Sequence, residues 1–163
     1  SPVKHEILQW AGDLPAPLAT VILAALPVLE LRGSLPYALT VGQLPVATAF
    51  ALSVLGNFLP VPFFLAFLGR LEKALRRYGP FDRFFCWLFA RTRRKAGVVE
   101  RYGAFGLVLF VAVPLPVTGA WTGVVAAYLF DVPARRAAPA ILLGICIAGV
   151  VVTLAVQGVI RLW

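Results

Sequence analysis

Glu30-Leu31-Arg32-Gly33-Ser34-Leu35-Pro36 cuts through a run of sequence that is otherwise almost wholly apolar from Ala16 to Val41. Glu30 and Arg32 are the only charges between Asp13 and Arg70. Holding a charge at the centre of an apolar segment costs roughly 2.5–3.5 kcal/mol on insertion scales. Upstream, Ala16 to Leu29 supplies fourteen residues, which as a helix rise about 21 Å against a hydrocarbon thickness of about 30 Å. Downstream, Tyr37 to Val41 resumes the apolar pattern and stops at Gly42, Gln43 and Pro45. Residues 16–42 are therefore expected to form a helix, a turn at Glu30–Pro36 and a second helix, too short to span as one rod.

The whole chain shares this character. Of its 163 residues, 61% are hydrophobic and 13% charged, with a mean hydropathy of +0.90. Fifteen basic and seven acidic side chains are too few to coat a soluble domain of this size, so lipid must cover the rest. The net charge of +8 does not signal nucleic acid: ten of the fifteen basic residues fall between Arg70 and Arg101, flanked by apolar segments and without a recognition motif. That distribution is one of membrane topology, and an anionic membrane surface is its natural partner.

Outward from the first break, Val46 to Leu68 runs 23 residues without a charge, enough to span, with Asn57, Pro60 and Pro62 marking a kink. Residues 70–101 hold two amphipathic stripes separated at Gly79-Pro80. Leu71, Leu75 and Tyr78 form the first, and Phe81, Phe84, Phe85 and Leu88 the second, beside Arg83, Arg91, Arg93, Arg94 and Lys95. Such a helix rests in the headgroup layer. Residues 104–130 are apolar but split by Pro114-Leu115-Pro116-Val117-Thr118-Gly119, where two prolines each remove a donor. Residues 137–160 form a clean span that ends at the interfacial pair Arg161 and Trp163. Residues 1–14 suit a short helix on the membrane surface anchored by Trp10; they show no pattern of a removable leader.

Both halves thus follow one plan. The fold expected is an all-α integral membrane protein, one membrane domain over residues 1–163. Each half is a broken re-entrant helical hairpin (16–42, 104–130) followed by a transmembrane helix (46–68, 137–160), and a basic amphipathic cytoplasmic segment (70–101) joins them. The positive-inside rule puts 70–101 and 131–136 on the same side, so 104–130 makes an even number of crossings. Two crossings need about forty residues and a hairpin fewer. Irregular backbone at membrane depth requires cover from protein or water, so the two tips are expected to meet in a shared polar pocket.

Glu30 and Arg32 admit two readings: a structural ion pair that holds the break, or a functional pair. In the second, Glu30 carries a proton and Arg32 holds an anionic group such as a phosphate. Pro36 closes the first break, while Pro114 and Pro116 shape the second. Backbone donors at Thr118, Gly119 and Ala120 form a helix N-terminus suited to an anion. Asn57 sits mid-span, either bonded to a neighbouring helix or touching substrate, and Trp121 and Thr122 pack the second tip. Gly119 and Gly123, and the series Ala140, Gly144 and Ala148, allow close helix approach. Cys86, Cys146 and His5 lack metal-ligand spacing, no cofactor is implied, and the apolar segments hold no Ser-His, paired-carboxylate or metal constellation of an enzyme.

Taken together, Glu30-Leu-Arg-Gly-Ser-Leu-Pro36, Gly56-Asn57, Glu100-Arg-Tyr-Gly103 and Pro114-Leu-Pro-Val-Thr-Gly-Ala-Trp121 resemble the bacterial and archaeal small multidrug export protein family, over about residues 25–130. The plan of two facing re-entrant hairpins also looks like the DedA (VTT-domain) superfamily. That resemblance implies flipping of lipid carriers such as undecaprenyl phosphate, coupled to proton or sodium gradients, and carries an essential acidic role onto Glu30. It would also require arginines in the second hairpin, and none lies between Arg101 and Arg135. The expectation is a secondary transporter or lipid flippase in the cytoplasmic membrane of a prokaryote. Its substrate would be an anionic lipid or, alternatively, a cationic amphiphilic drug; a non-transporting scaffold is the third reading. Two spans and two hairpins give little scaffold for an enclosed path, which favours a homodimer or larger homo-oligomer.

Overall fold

The computed structural model describes residues 14–26, 30–113 and 119–162, and every regular element among them is helical. In chain order these are α1 (Ala16–Ala25), α2 (Glu30–Leu39), α3 (Val46–Phe58), α4 (Val61–Leu75), α5 (Gly79–Lys95), α6 (Gly97–Tyr102), α7 (Ala104–Ala112), α8 (Ala120–Leu129) and α9 (Ala134–Leu162). Two stretches, Val46–Leu75 and Ala134–Leu162, are long and apolar enough to cross a membrane. Only 28% and 39% of their most apolar windows are buried within the protein, whereas the core helix of a soluble protein is mostly enclosed. Their outward Leu55, Phe63, Leu143 and Leu154 need lipid around them.

Glu30–Pro36 is not a turn, which corrects the sequence expectation. It opens α2, which runs unbroken to Leu39 with Pro36 inside it, while α1 ends at Ala25 with Leu26 extended. The Glu30 N–H reaches back to the Leu26 carbonyl at 2.9 Å. A proline beyond the first helical turn costs about 3 kcal/mol. Here the close packing of fully buried Leu31, Leu35 and Ala38 outweighs it, and the sequence pattern alone did not weigh that packing. The span expected to end at Leu68 also differs: the helix turns at Leu59-Pro60 and continues to Leu75. Charges at Arg70, Glu72 and Lys73 end the apolar run but not the helix, because Leu71 and Leu75 extend the same stripe. The two stripes of residues 70–101 lie on separate helices: α4 ends at Leu75 and Gly79-Pro80 opens α5, where the first turn requires no N–H from proline. The surface helix expected over 1–14 falls, apart from Leu14, outside the described residues.

The chain divides into two compact units, residues 1–59 with 146–163, and residues 60–145. In the first unit, α1, α2 and α3 pack on one another around Leu23, Leu31 and Leu35. Gly56 lets the backbones of α1 and α3 touch: a Cβ there would lie 2.4 Å from the Val21 carbonyl oxygen.

In the second unit, α8 packs on α4, α5 and α7. The Tyr128 hydroxyl donates to Glu72 of α4, Glu72 pairs with Arg76 at 3.1 Å, and the Arg76 guanidinium lies 5.4 Å from the centre of the Phe89 ring of α5. α5 buries Phe85, Phe89 and Thr92 and turns Phe81, Phe84 and Trp87 outward, with Arg91 stacked 5.1 Å from the Trp87 ring. The small residues of α8 and α9 find their partner within this chain. Gly123 and Gly144 both receive Val111 of α7, which would come within 2.6 and 2.7 Å of a Cβ at either position.

Candidate functional site

Polar side chains are scarce in the interior, and among the described residues five of the six buried ones belong to the first unit: Thr20, Glu30, Ser34, Ser53 and Asn57, with Thr92 the sixth. Thr20 is satisfied locally, its hydroxyl donating to the Ala16 carbonyl at 2.7 Å. The other four form a row. Glu30 and Ser34 stand one turn apart on α2, and Ser53 and Asn57 stand one turn apart on α3, so each pair shares a helix face. The Ser34 hydroxyl donates to the Ser53 hydroxyl at 3.0 Å. α2 and α3 run antiparallel through a short connection, so one turn from each serine, toward the same end of the pair, brings Glu30 and Asn57 to one level.

The backbone strain of this row falls at that end, at Glu30. Glu30 is 6% exposed and holds φ at 49°, a left-handed conformation that residues other than glycine, asparagine and aspartate seldom adopt. Such strain persists only where the surrounding structure imposes it, and it clusters at functional sites. Asn57 is 4% exposed, and its Oδ1 has no hydrogen-bond partner among the described residues. A buried amide oxygen left unpaired costs about 1–3 kcal/mol. Arg32, half-buried one residue beyond Leu31, lies near enough to Glu30 for their charges to attract. Pro36 contributes its carbonyl, which accepts from both the N–H and the hydroxyl of Thr40, at 3.0 and 2.6 Å.

Of the residues singled out from the sequence, Glu30, Arg32, Pro36 and Asn57 thus gather in the first unit. Gly119, Trp121 and Thr122 belong to the second. Gly119 precedes α8 with φ at 143°, a conformation open to glycine. Trp121 packs its ring 4.6 Å from that of Phe64, and Thr122 is half-buried. Pro114, Pro116 and Thr118 lie outside the described residues. Sequence reasoning missed Ser34 and Ser53. Their signal was present in the four-residue spacing from Glu30 to Ser34 and from Ser53 to Asn57, which places four oxygen-bearing groups on two helix faces. No group of three or more His, Cys, Asp or Glu able to hold a metal occurs among the described residues.

A family model whose description reads "Putative small multi-drug export protein" matches residues 30–151. No curated protein matches the chain, and no solved structure does so. The matched range opens at Glu30 and takes in Arg32, Asn57 and the second break. With the two apolar spans, it identifies the molecule as a helical membrane protein of an export family.

Proposed function

The chain belongs to the small multi-drug export protein family, whose name is that of a transporter and not an enzyme, and on that premise we propose a small secondary transporter in which Glu30 is the coupling acid. One observation carries this reading: a carboxylate 6% exposed, on strained backbone, heading a buried row of Ser34, Ser53 and Asn57. An ionised carboxylate in such surroundings is costly, and taking up a proton or a sodium ion removes the cost. Occupancy of Glu30 then decides which conformation is stable, which is how a gradient drives a carrier.

Arg32 supplies the substrate contact in the favoured version of this reading. Its guanidinium binds the head of an anionic lipid of the polyprenyl-phosphate type, and the protein flips that lipid across the bilayer. The basic connector faces the cytoplasm of a prokaryote in this arrangement, and broken segments 16–42 and 104–130 re-enter instead of crossing. Copies of the chain assemble to enclose the path. The family's description supports a second reading, export of cationic amphiphilic drugs, in which Glu30 is the counter-ion. Arg32 beside it weakens that version, because a neighbouring cation opposes a cationic substrate.

Reconstituting the purified protein in liposomes and following a labelled polyprenyl phosphate, with and without a pH or sodium gradient, tests the proposal. Wild type should flip the lipid in a gradient-dependent way, and Glu30→Gln should abolish it while the protein remains folded. A folded Glu30→Gln protein that transports normally removes Glu30 from coupling. Gradient-driven movement of a lipophilic cation and not of the lipid selects the second reading. If neither moves, and neutralising Arg91, Arg93 and Arg94 impairs function more than changing Glu30 does, the molecule is a membrane scaffold.

A further inference from the structure

Where α8 ends and the chain turns into α9, the second unit has a half-open cavity of about 230 Å³ beside α4, with the exposed Asp131 in its lining. Phe64, Val124, Ala127 and Pro133 are among the residues that line it, and the polar side chains of the lining are Tyr128 and Asp131. No lysine or arginine lines it, although basic residues outnumber acidic ones fifteen to seven in this chain. Asp131 makes no ion pair among the described residues.

Four features of this cavity favour a cation. The Asp131 carboxylate is uncompensated. The last carbonyls of α8 bring the negative end of a helix dipole to the turn, which closes with the Val132 N–H on the Ala127 carbonyl at 2.9 Å. Phe64 offers an aromatic face and is itself braced by Trp121 at 4.6 Å between ring centres. Tyr128 offers the fourth: its hydroxyl donates to Glu72, which pushes electron density into the ring and strengthens its attraction for a cation. Glu72 is already paired with Arg76, leaving Asp131 as the counter-ion.

An inorganic ion is less well served, since it needs several oxygen ligands and the lining side chains supply one carboxylate and a Tyr128 hydroxyl already engaged with Glu72. Size narrows the occupant further, since sites for whole drug-sized molecules run from about 300 to 1,000 Å³. We propose that this cavity binds the alkylated ammonium head of an amphiphile, with Asp131 as counter-ion and Phe64 and Tyr128 as its aromatic walls. The proposal does not rest on the roles given to Glu30 and Arg32, which lie in the other unit.

Such a head can come from a free amphiphilic amine or from a choline-type lipid. The test titrates choline, and separately its uncharged carbon isostere 3,3-dimethylbutan-1-ol, into the full-length protein in nanodiscs of phosphatidylglycerol, with binding followed by calorimetry. Choline should bind saturably, and the isostere at least tenfold more weakly. Asp131→Asn, which keeps the left-handed backbone of that position (φ 54°) because asparagine adopts it readily, should weaken choline at least tenfold, and Phe64→Leu should weaken it severalfold. Repeating the titration in phosphatidylcholine nanodiscs identifies the source: suppressed choline binding means that the lipid head occupies the cavity, and unchanged binding means that a free amine does. Equal binding of choline and its isostere, absence of saturable choline binding by folded protein, or full binding by a folded Asp131→Asn variant overturns the proposal.

Discussion

Replacing Gly56 with alanine adds one methyl group where the structure has no room for it. The new Cβ would lie 2.4 Å from the Val21 carbonyl oxygen, 2.8 Å from the Ala24 Cβ and 2.9 Å from the Val21 Cα. Comfortable separations are about 3.5–4.0 Å, so α1 must retreat by about 1 Å. Two of the three obstructing atoms are backbone and cannot rotate away. Overpacking costs typically about 1–3 kcal/mol, and the upper end applies here. At about 2–4 °C per kcal/mol for a chain of this size, Gly56→Ala should lower the midpoint of thermal unfolding in detergent by roughly 6–12 °C. The retreat of α1 also slackens α3 beside Asn57, so transport should fall with stability. Gly97 and Gly158 have nothing within 4 Å of an added Cβ and serve as controls. Alanine at either should be neutral or stabilise by up to about 1 kcal/mol. A Gly56→Ala protein as stable as these controls would refute the close backbone contact and, with it, the packing that frames the buried row.

Ser34→Ala and Ser53→Ala should each destabilise, and the double variant should cost less than their sum, with a coupling of about 0.6 kcal/mol; strict additivity in thermal unfolding would mean that the hydroxyls do not meet. Tyr128→Phe removes a donor to a charged acceptor and should cost about 1.5–3 kcal/mol, read as a drop in the same midpoint, whereas an unchanged midpoint denies the Tyr128–Glu72 tie. Cys86 is exposed and Cys146 half-buried, so a membrane-impermeant maleimide should label Cys86 in inside-out vesicles and leave it untouched in intact spheroplasts. The reverse pattern would put the basic connector outside.

The apolar runs and their interruptions made the helical membrane character legible, because charges and prolines are costly at membrane depth whatever the tertiary structure. The position of the first break was not legible in the same way. Pro36 and Gly33 marked the breaking point by local propensity, yet packing of Leu31 and Leu35 overrode both, and the first helix instead ends at Ala25. Charge likewise misplaced the end of α4, since Arg70 ends contact with hydrocarbon without ending the helix. Glu30, Arg32 and Asn57 stood out by polarity against an apolar background. Ser34 and Ser53 did not, because a serine in an apolar segment is commonplace until a second one, nineteen residues away, is seen to face it. The cavity at Asp131 was hidden for a related reason: Phe64, Tyr128 and Asp131 come from α4, α8 and the turn after it, and no spacing along the chain announces their meeting.

Val111 enters two glycine notches at once, with its Cγ2 at Gly123 and its Cβ at Gly144. The three positions are consequently coupled under mutation. A larger side chain at 111 collides on two fronts, a methyl group at either glycine collides with an unchanged valine, and trimming 111 to alanine removes the Cγ2 that faces Gly123 but keeps the Cβ that faces Gly144. The two notches therefore answer differently to a second change: Val111→Ala should turn the otherwise damaging Gly123→Ala into a tolerated substitution, whereas Gly144→Ala should stay damaging, because alanine keeps the Cβ at 2.7 Å and the Val108 carbonyl oxygen stands at 3.0 Å; a pairwise mutational scan would expose the difference.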